Sequence, residues 1–168
     1  MFTLSGALVV AGITIGIVLA SQSGGIDNDQ YQDVLEQAGY PRNVALMHFP
    51  SELPENVSDV YIYYQARESG AYRLELWLEP SSEAYEEVVE SFAAGAVEEL
   101  RPIDESPDPR LPRIRSRDNS GDRPLPAGSR VFFEGLTDAG QEPWQSGLTY
   151  GLVAVPDEGR LGYFARQW

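Results

Sequence analysis

The stretch VSDVYIYYQARESGAYRLELWLEPSSEAYEEVVESFAAGAVEEL, Val57 to Leu100, decides the fold. Val60, Ile62 and Tyr64 alternate with Tyr61, Tyr63 and Gln65. After Glu68-Ser69-Gly70-Ala71 the alternation resumes. Tyr72, Leu74, Leu76 and Leu78 fall on one face, and Arg73, Glu75, Trp77 and Glu79 on the other. A period of two marks half-buried strands, so the stretch opens as a β-hairpin. Beyond Pro80 the period changes. From Ser82 to Leu100, Tyr85, Val88, Val89, Phe92, Ala96 and Leu100 recur at three and four, with six glutamates between them. That is an amphipathic helix, expected to cover the Leu74–Leu76–Leu78 face. The glutamates read as a solvated face or, alternatively, as a docking face for a basic partner.

Downstream, Arg130–Leu136, Leu148–Val155 and Arg160–Trp168 read as three further strands. Pro156-Asp157-Glu158-Gly159 makes the turn between the last two. They extend the sheet to about five strands. Upstream, Asp29 to Ala38 is a short helix, stopped by Gly39 and Pro41, and Val44–Phe49 reads as a short buried strand. Between helix and final strands, Arg101 to Ser129 holds six prolines. Residues 21–100 carry 16 acids and three arginines, whereas 101–130 carry five acids and seven arginines. Attraction between this segment and the acidic domain is the economical expectation. Arg113, Arg115 and Arg117 alternate and would share one side of an extended segment, where a partner or an anionic envelope polymer is a further reading.

Phe2 to Ala20, FTLSGALVVAGITIGIVLA, is uncharged and apolar. Nineteen helical residues would reach about 28 Å, close to the bilayer hydrocarbon thickness. The expectation is a transmembrane anchor, with a signal peptide cut after Ala20 as the alternative. Gly12 and Gly16, extended by Ala20, form a small-residue ridge at which two membrane helices could pack, giving a protein partner or a homo-oligomer. Asp27, Asp29, Asp33 and Glu36 follow, and the first arginine is Arg42, so the domain is expected outside. The organisation read from sequence is therefore an anchor (1–20), a tether (21–28) and one extracytoplasmic domain (29–168) that includes the Pro/Arg-rich segment 101–129. The fold class is α+β: a transmembrane helix, then an antiparallel sheet with helices on one face.

Composition excludes more chemistry than it proposes. A net charge of −14, with 12 arginines and no lysine, repels phosphate backbones, so no nucleic-acid partner is expected. The absence of Cys removes disulfides, thiolate nucleophiles and thiolate metal sites, and no cofactor is expected. The single His48, beside Phe49 and Pro50, reads as a packed core residue. Asp27-x-Asp29 lacks the rest of a calcium loop and reads as a helix cap. No nucleophile elbow, P-loop, dinucleotide fingerprint or zinc-protease motif is present.

His48-Phe49-Pro50-Ser51-Glu52-Leu53-Pro54, followed by Val60-Tyr61-Ile62-Tyr63-Tyr64, resembles an uncharacterised family of small bacterial envelope proteins with an HFP…IP turn before an aromatic strand. The closing Tyr150-Gly151-Leu152 and Arg160–Ala165 are similar to the same family's ending. Where those relatives carry a Pro-Gly-Phe-Leu-Gln-Gly-like turn, this chain has Arg67-Glu68-Ser69-Gly70. The resemblance implies an envelope location and a small α+β domain, and it brings no reaction. The functional expectation is a non-enzymatic, membrane-anchored interaction module or accessory subunit, with Tyr61, Tyr63 and Trp77 as an exposed aromatic surface. The alternative is an envelope hydrolase using paired carboxylates.

Overall fold

The computed structural model of the 168-residue chain describes residues 28–67, 70–101, 114–115, 122–136 and 147–167. A 3₁₀ turn at Asn28–Gln30 leads into helix α1, Tyr31–Gln37, and a second 3₁₀ turn covers Val44–Leu46. Strands β1, Ser58–Ala66, and β2, Tyr72–Glu79, form the hairpin, and helix α2 spans Ser82–Gly95. Then come β3, Glu98–Leu100, two-residue strands β4, Ile114–Arg115, and β5, Asp122–Arg123, and β6, Arg130–Leu136. Strand β7, Leu148–Val155, and β8, Arg160–Gln167, close the chain through a 3₁₀ turn at Pro156–Glu158.

The main sheet has six strands in the order β1-β2-β8-β7-β6-β3, every neighbouring pair antiparallel. Strands β4 and β5 pair separately. The last strand thus lies between the first hairpin and the rest of the sheet, and it registers on both sides: Leu76 opposite Tyr163, and Leu152 opposite Tyr163.

Two apolar clusters hold the sheet. The larger lies under the helices and joins Tyr31, Val34 and Leu35 of α1, and Tyr85, Val89 and Phe92 of α2, to Leu74, Leu76, Phe132, Leu152 and Leu161. Each fully buried Leu, Ile or Phe contributes about 1.5–3 kcal/mol. Tyr31 also ties α1 to the following loop, its hydroxyl donating to the Pro50 carbonyl at 2.6 Å. The second cluster lies on the opposite face: Trp77, Val131, Phe133, Val153, Val155 and Phe164, with Leu125 from the Pro/Arg-rich segment. One face is therefore backed by helices, the other partly by that segment.

Four readings of the sequence are corrected. First, the α+β class with a membrane-spanning helix is not supported. Among the described residues the protein is mostly a six-stranded antiparallel sheet with two short helices, and none of those helices is long and apolar enough to cross a membrane. The single-pass and signal-anchor readings find no support among the described residues. Residues 2–20, with Gly12, Gly16 and Ala20, lie outside the described residues.

Second, α2 stops at Gly95 rather than Leu100. The Val97 amide donates to the Phe133 carbonyl at 2.8 Å, and Glu98–Leu100 joins the sheet. Gly is a poor helix residue, and pairing with β6 takes over where the helix weakens. Third, Val44–Leu46 is a 3₁₀ turn, not a strand. The Asn43 side chain accepts from the Ala45 amide at 3.2 Å, and a side chain bonded to the backbone at this position favours a turn over a ladder. Fourth, the sheet has six strands rather than about five, because β3 adds an edge.

Candidate interaction edge and its charged face

The two edges of the sheet differ. Strand β3 is three residues long and carries Glu98 and Glu99. Shortness and charge are ordinary means of keeping an edge from pairing with another chain. Strand β1 is nine residues long. Its register against β2 is irregular between Ser58 and Tyr61, where Asp59 adopts a left-handed φ of 54°. From Tyr61 to Ala66 the register is unbroken, and YIYYQA contains neither charge nor proline. This is the outermost strand on its side.

On the face away from the helices, β1 presents Tyr61, Tyr63 and Gln65, opposite Trp77, Glu75 and Arg73 of β2. Beyond them β8 sets Gly162, Phe164 and Arg166 in the same rows. Glu75 is fully buried. Its Oε1 receives Arg73 Nε at 2.7 Å and Arg166 Nη2 at 2.8 Å, and Trp77 Nε1 donates to Oε2 at 3.4 Å. Burial pushes the Glu75 carboxyl up, but Arg166 and Arg73 outweigh it and hold the group below the usual carboxylate range. The arginines are themselves seated on rings, Arg73 5.2 Å from the centre of Tyr63 and Arg166 5.9 Å from that of Phe164.

Trp77 does not lie on an exposed surface; it is 1% exposed. Its ring rests on Gly162, where an added Cβ would come within 2.5 Å of Cζ3. Arg160, 6% exposed, sits 5.6 Å above the same ring, with Asp59 and Glu158 at 3.7 and 3.9 Å. The Pro/Arg-rich segment meets the domain through Arg123, whose Nη2 reaches both Glu158 oxygens at 2.8 Å. Arg115 lies in β4, paired through the backbone with Asp122, while Arg113 and Arg117 lie outside the described residues.

Tyr61 and Tyr63 are half-buried on β1. The Tyr63 hydroxyl donates to Gln65 Oε1 at 2.9 Å. At the turn end of the hairpin, Gln65, Arg67, Ala71, Tyr72, Arg73 and Gln167 line a hollow of about 100 Å³. Drug-sized ligands occupy about 300–1,000 Å³, so this hollow suits one small polar group. Arg67 is exposed at its rim, with its backbone held to Ala71 at 2.8 Å.

His48 packs among rings, 4.7 Å from Phe49 and 5.5 Å from a stacked Tyr150. Neither ring nitrogen has a partner at hydrogen-bond geometry. Burial lowers its pKa to about 4, an effect only partly offset by the backbone of Gly151 and Phe164, so the ring is neutral at pH 7. Among the described carboxylates, Glu134 is the one held above its ordinary range. Burial is the cause, with no second carboxylate contributing. No group of three potential metal-ligating side chains occurs among the described residues.

The sequence reading singled out Tyr61, Tyr63 and Trp77 but passed over Glu75, Arg73, Arg166 and Arg67. The available signal was the i, i+2 spacing of Arg73 and Glu75, which puts them on one face of a strand. The chain matches no family model, no curated protein and no solved structure. The likeness to the envelope family therefore rests on its two sequence stretches alone.

Proposed function

We propose that this chain is a non-enzymatic interaction module that takes an extended segment of a partner protein along β1, the outermost described strand on its side of the sheet. The observation that carries the reading is the contrast between the two edges: β3 is short and doubly acidic, whereas Tyr61–Ala66 is regular, uncharged and proline-free in a chain of net charge −14. The outermost strand of a sheet is where an incoming segment adds by main-chain pairing. The hairpin beneath it is firm, because Glu75 and its two arginines brace β2 against β8. An acid–base hydrolase would need two converging carboxylates with shifted pKa values. Glu134 meets half of that description, and nothing described here supplies the other half.

The test is site-specific photo-crosslinking in the producing cells, with a benzoyl-phenylalanine replacing Tyr63 on the edge or Glu87 on α2. The expected result is a discrete adduct from position 63 that maps to one extended segment of a partner and is lost when Ala66→Pro is added. Adducts from position 87 alone, or an equal spread of adducts from both positions, would overturn the reading.

A further inference from the structure

We propose that Glu158 is a two-position latch: paired with Arg123 it fastens the strap at residues 122–125 over the Trp77 face of the sheet, and when the strap lifts it turns to Arg160. Two arginines stand beside this one carboxylate. Arg123 Nη2 holds both Glu158 oxygens at 2.8 Å. Arg160 Nη1 is 3.9 Å from Glu158 Oε2, and its Nε is 3.7 Å from Asp59 Oδ2. These are ion-pair distances, too long for hydrogen bonds. Nε and Nη2 of Arg160 are buried with no hydrogen-bond partner. A buried guanidinium in that state bears a desolvation penalty that a close carboxylate offsets. Burial pulls the Arg160 pKa below its ordinary value, and Glu158 is the largest influence opposing it, ahead of Glu79. A small rotation of the carboxylate moves it from one arginine to the other.

The two positions hold different things. Arg123 belongs to β5, which pairs with β4 rather than with the main sheet, whereas Arg160 opens β8 within that sheet. Leu125, two residues beyond Arg123, packs in the apolar cluster of Trp77, Val153 and Phe164. Pairing with Arg123 therefore holds Leu125 down, and pairing with Arg160 releases it. The Arg123–Glu158 pair is partly exposed, with 42% and 30% of the two side chains open to solvent, so it is weak and screened by salt. Opening exchanges this exposed pair for a buried one, which keeps the strap near balance. The latch does not rest on strand addition along β1.

The chain has no cysteine, so Leu125→Cys places a single thiol on the strap. Its alkylation by iodoacetamide, a neutral reagent, reads how often the strap lifts, and urea unfolding of each variant checks that the fold is kept. Arg123→Gln should speed labelling about two- to fivefold, the worth of one exposed pair. Raising NaCl from about 0.05 to about 0.5 M should speed it in the parent and leave Arg123→Gln unchanged. Arg160→Met should slow labelling at least about twofold, because the released carboxylate loses its second partner. Relief of repulsion between Arg160 and Arg123 would also slow it, so the comparison is repeated with Glu158→Gln, where the latch predicts no effect of Arg160→Met. Equal or faster labelling in Arg160→Met, or slowing that persists with Glu158→Gln, would overturn the latch. If Arg160→Met does not fold, a crystal structure of Arg123→Gln decides. Glu158 within about 3 Å of Arg160 supports the exchange, and Glu158 still beyond hydrogen-bond reach of it refutes the proposal.

Discussion

Replacing Glu75 by glutamine gives the sharpest test of how the sheet is held. Glu75→Gln keeps the shape of the side chain and removes its charge. Two arginines at 2.7 and 2.8 Å lose their counter-ion, and both are mostly buried, with 23% and 12% of their side chains exposed. Breaking a buried pair by deleting one partner costs about 3–5 kcal/mol, because the remaining charge is left desolvated. Here two charges are stranded by one substitution, though partial exposure of Arg73 moderates the loss. Against a total stability of about 5–15 kcal/mol, the variant should remain folded at 25 °C but melt about 10 °C lower. Urea unfolding at pH 7 measures the difference directly.

Acidification supplies an internal control. The Glu75 carboxyl titrates lower in the folded chain than in the unfolded one. Its contribution is therefore complete above the unfolded value of about 4.3 and is lost as pH falls through the folded one. The gap between wild type and Glu75→Gln should narrow as the pH is taken down towards 2. Changing Arg73, Glu75 and Arg166 together to Met, Leu and Met should cost far less than Glu75→Gln alone, since apolar replacement of a whole buried ion cluster is often neutral. A loss below about 1 kcal/mol at pH 7, or a gap that does not narrow in acid, would refute the reasoning.

Glu99 makes a useful contrast: it meets Arg130 at 2.9 Å and Arg101 at 3.1 Å but is far more exposed, so Glu99→Gln should cost less than about 1 kcal/mol by the same urea assay. His48 is held neutral, with its folded pKa of about 4 below the unfolded value, so the unfolded chain binds the extra proton first and stability should decline between about pH 6.5 and 4. His48→Leu should flatten that part of a stability–pH profile. Gly162→Ala should destabilise by about 1–3 kcal/mol through displacement of the Trp77 ring, visible as a shifted Trp emission as well as a lower melting point. Asn43→Ala should cost about 1–2 kcal/mol, because it removes the cap on Val44–Leu46 and the bonds to the Ala38 carbonyl and the Tyr72 hydroxyl.

Much of the scaffold was legible from Val57–Leu100. The alternation at Val60–Gln65 and Tyr72–Glu79 depends on which side of a strand each residue faces, a property of neighbouring residues alone. The same holds for the helical spacing of Tyr85, Val89 and Phe92. Boundaries were less legible. The Ala96–Leu100 tail continued a helical pattern, and only a partner strand carrying Val131 and Phe133 could draw it into the sheet. The candidate edge was half visible: Tyr61 and Tyr63 could be named, but not that β1 would end the sheet.

What the sequence alone determined is the local grammar of this protein: a hairpin, an amphipathic helix and closing strands, in a cysteine-free acidic chain. Tertiary structure decided which of those residues matter together. The alternation in β2 suggested one buried and one open face, yet Leu74, Glu75, Leu76, Trp77 and Leu78 are all buried. Strand β8 enters beside β2 from the far end of the chain, bringing Arg166 to Glu75 across 91 residues and setting Gly162 beneath Trp77. Periodicity can say that two sides of a strand differ. Whether the second side meets water depends on contacts distant in sequence, which no local pattern encodes.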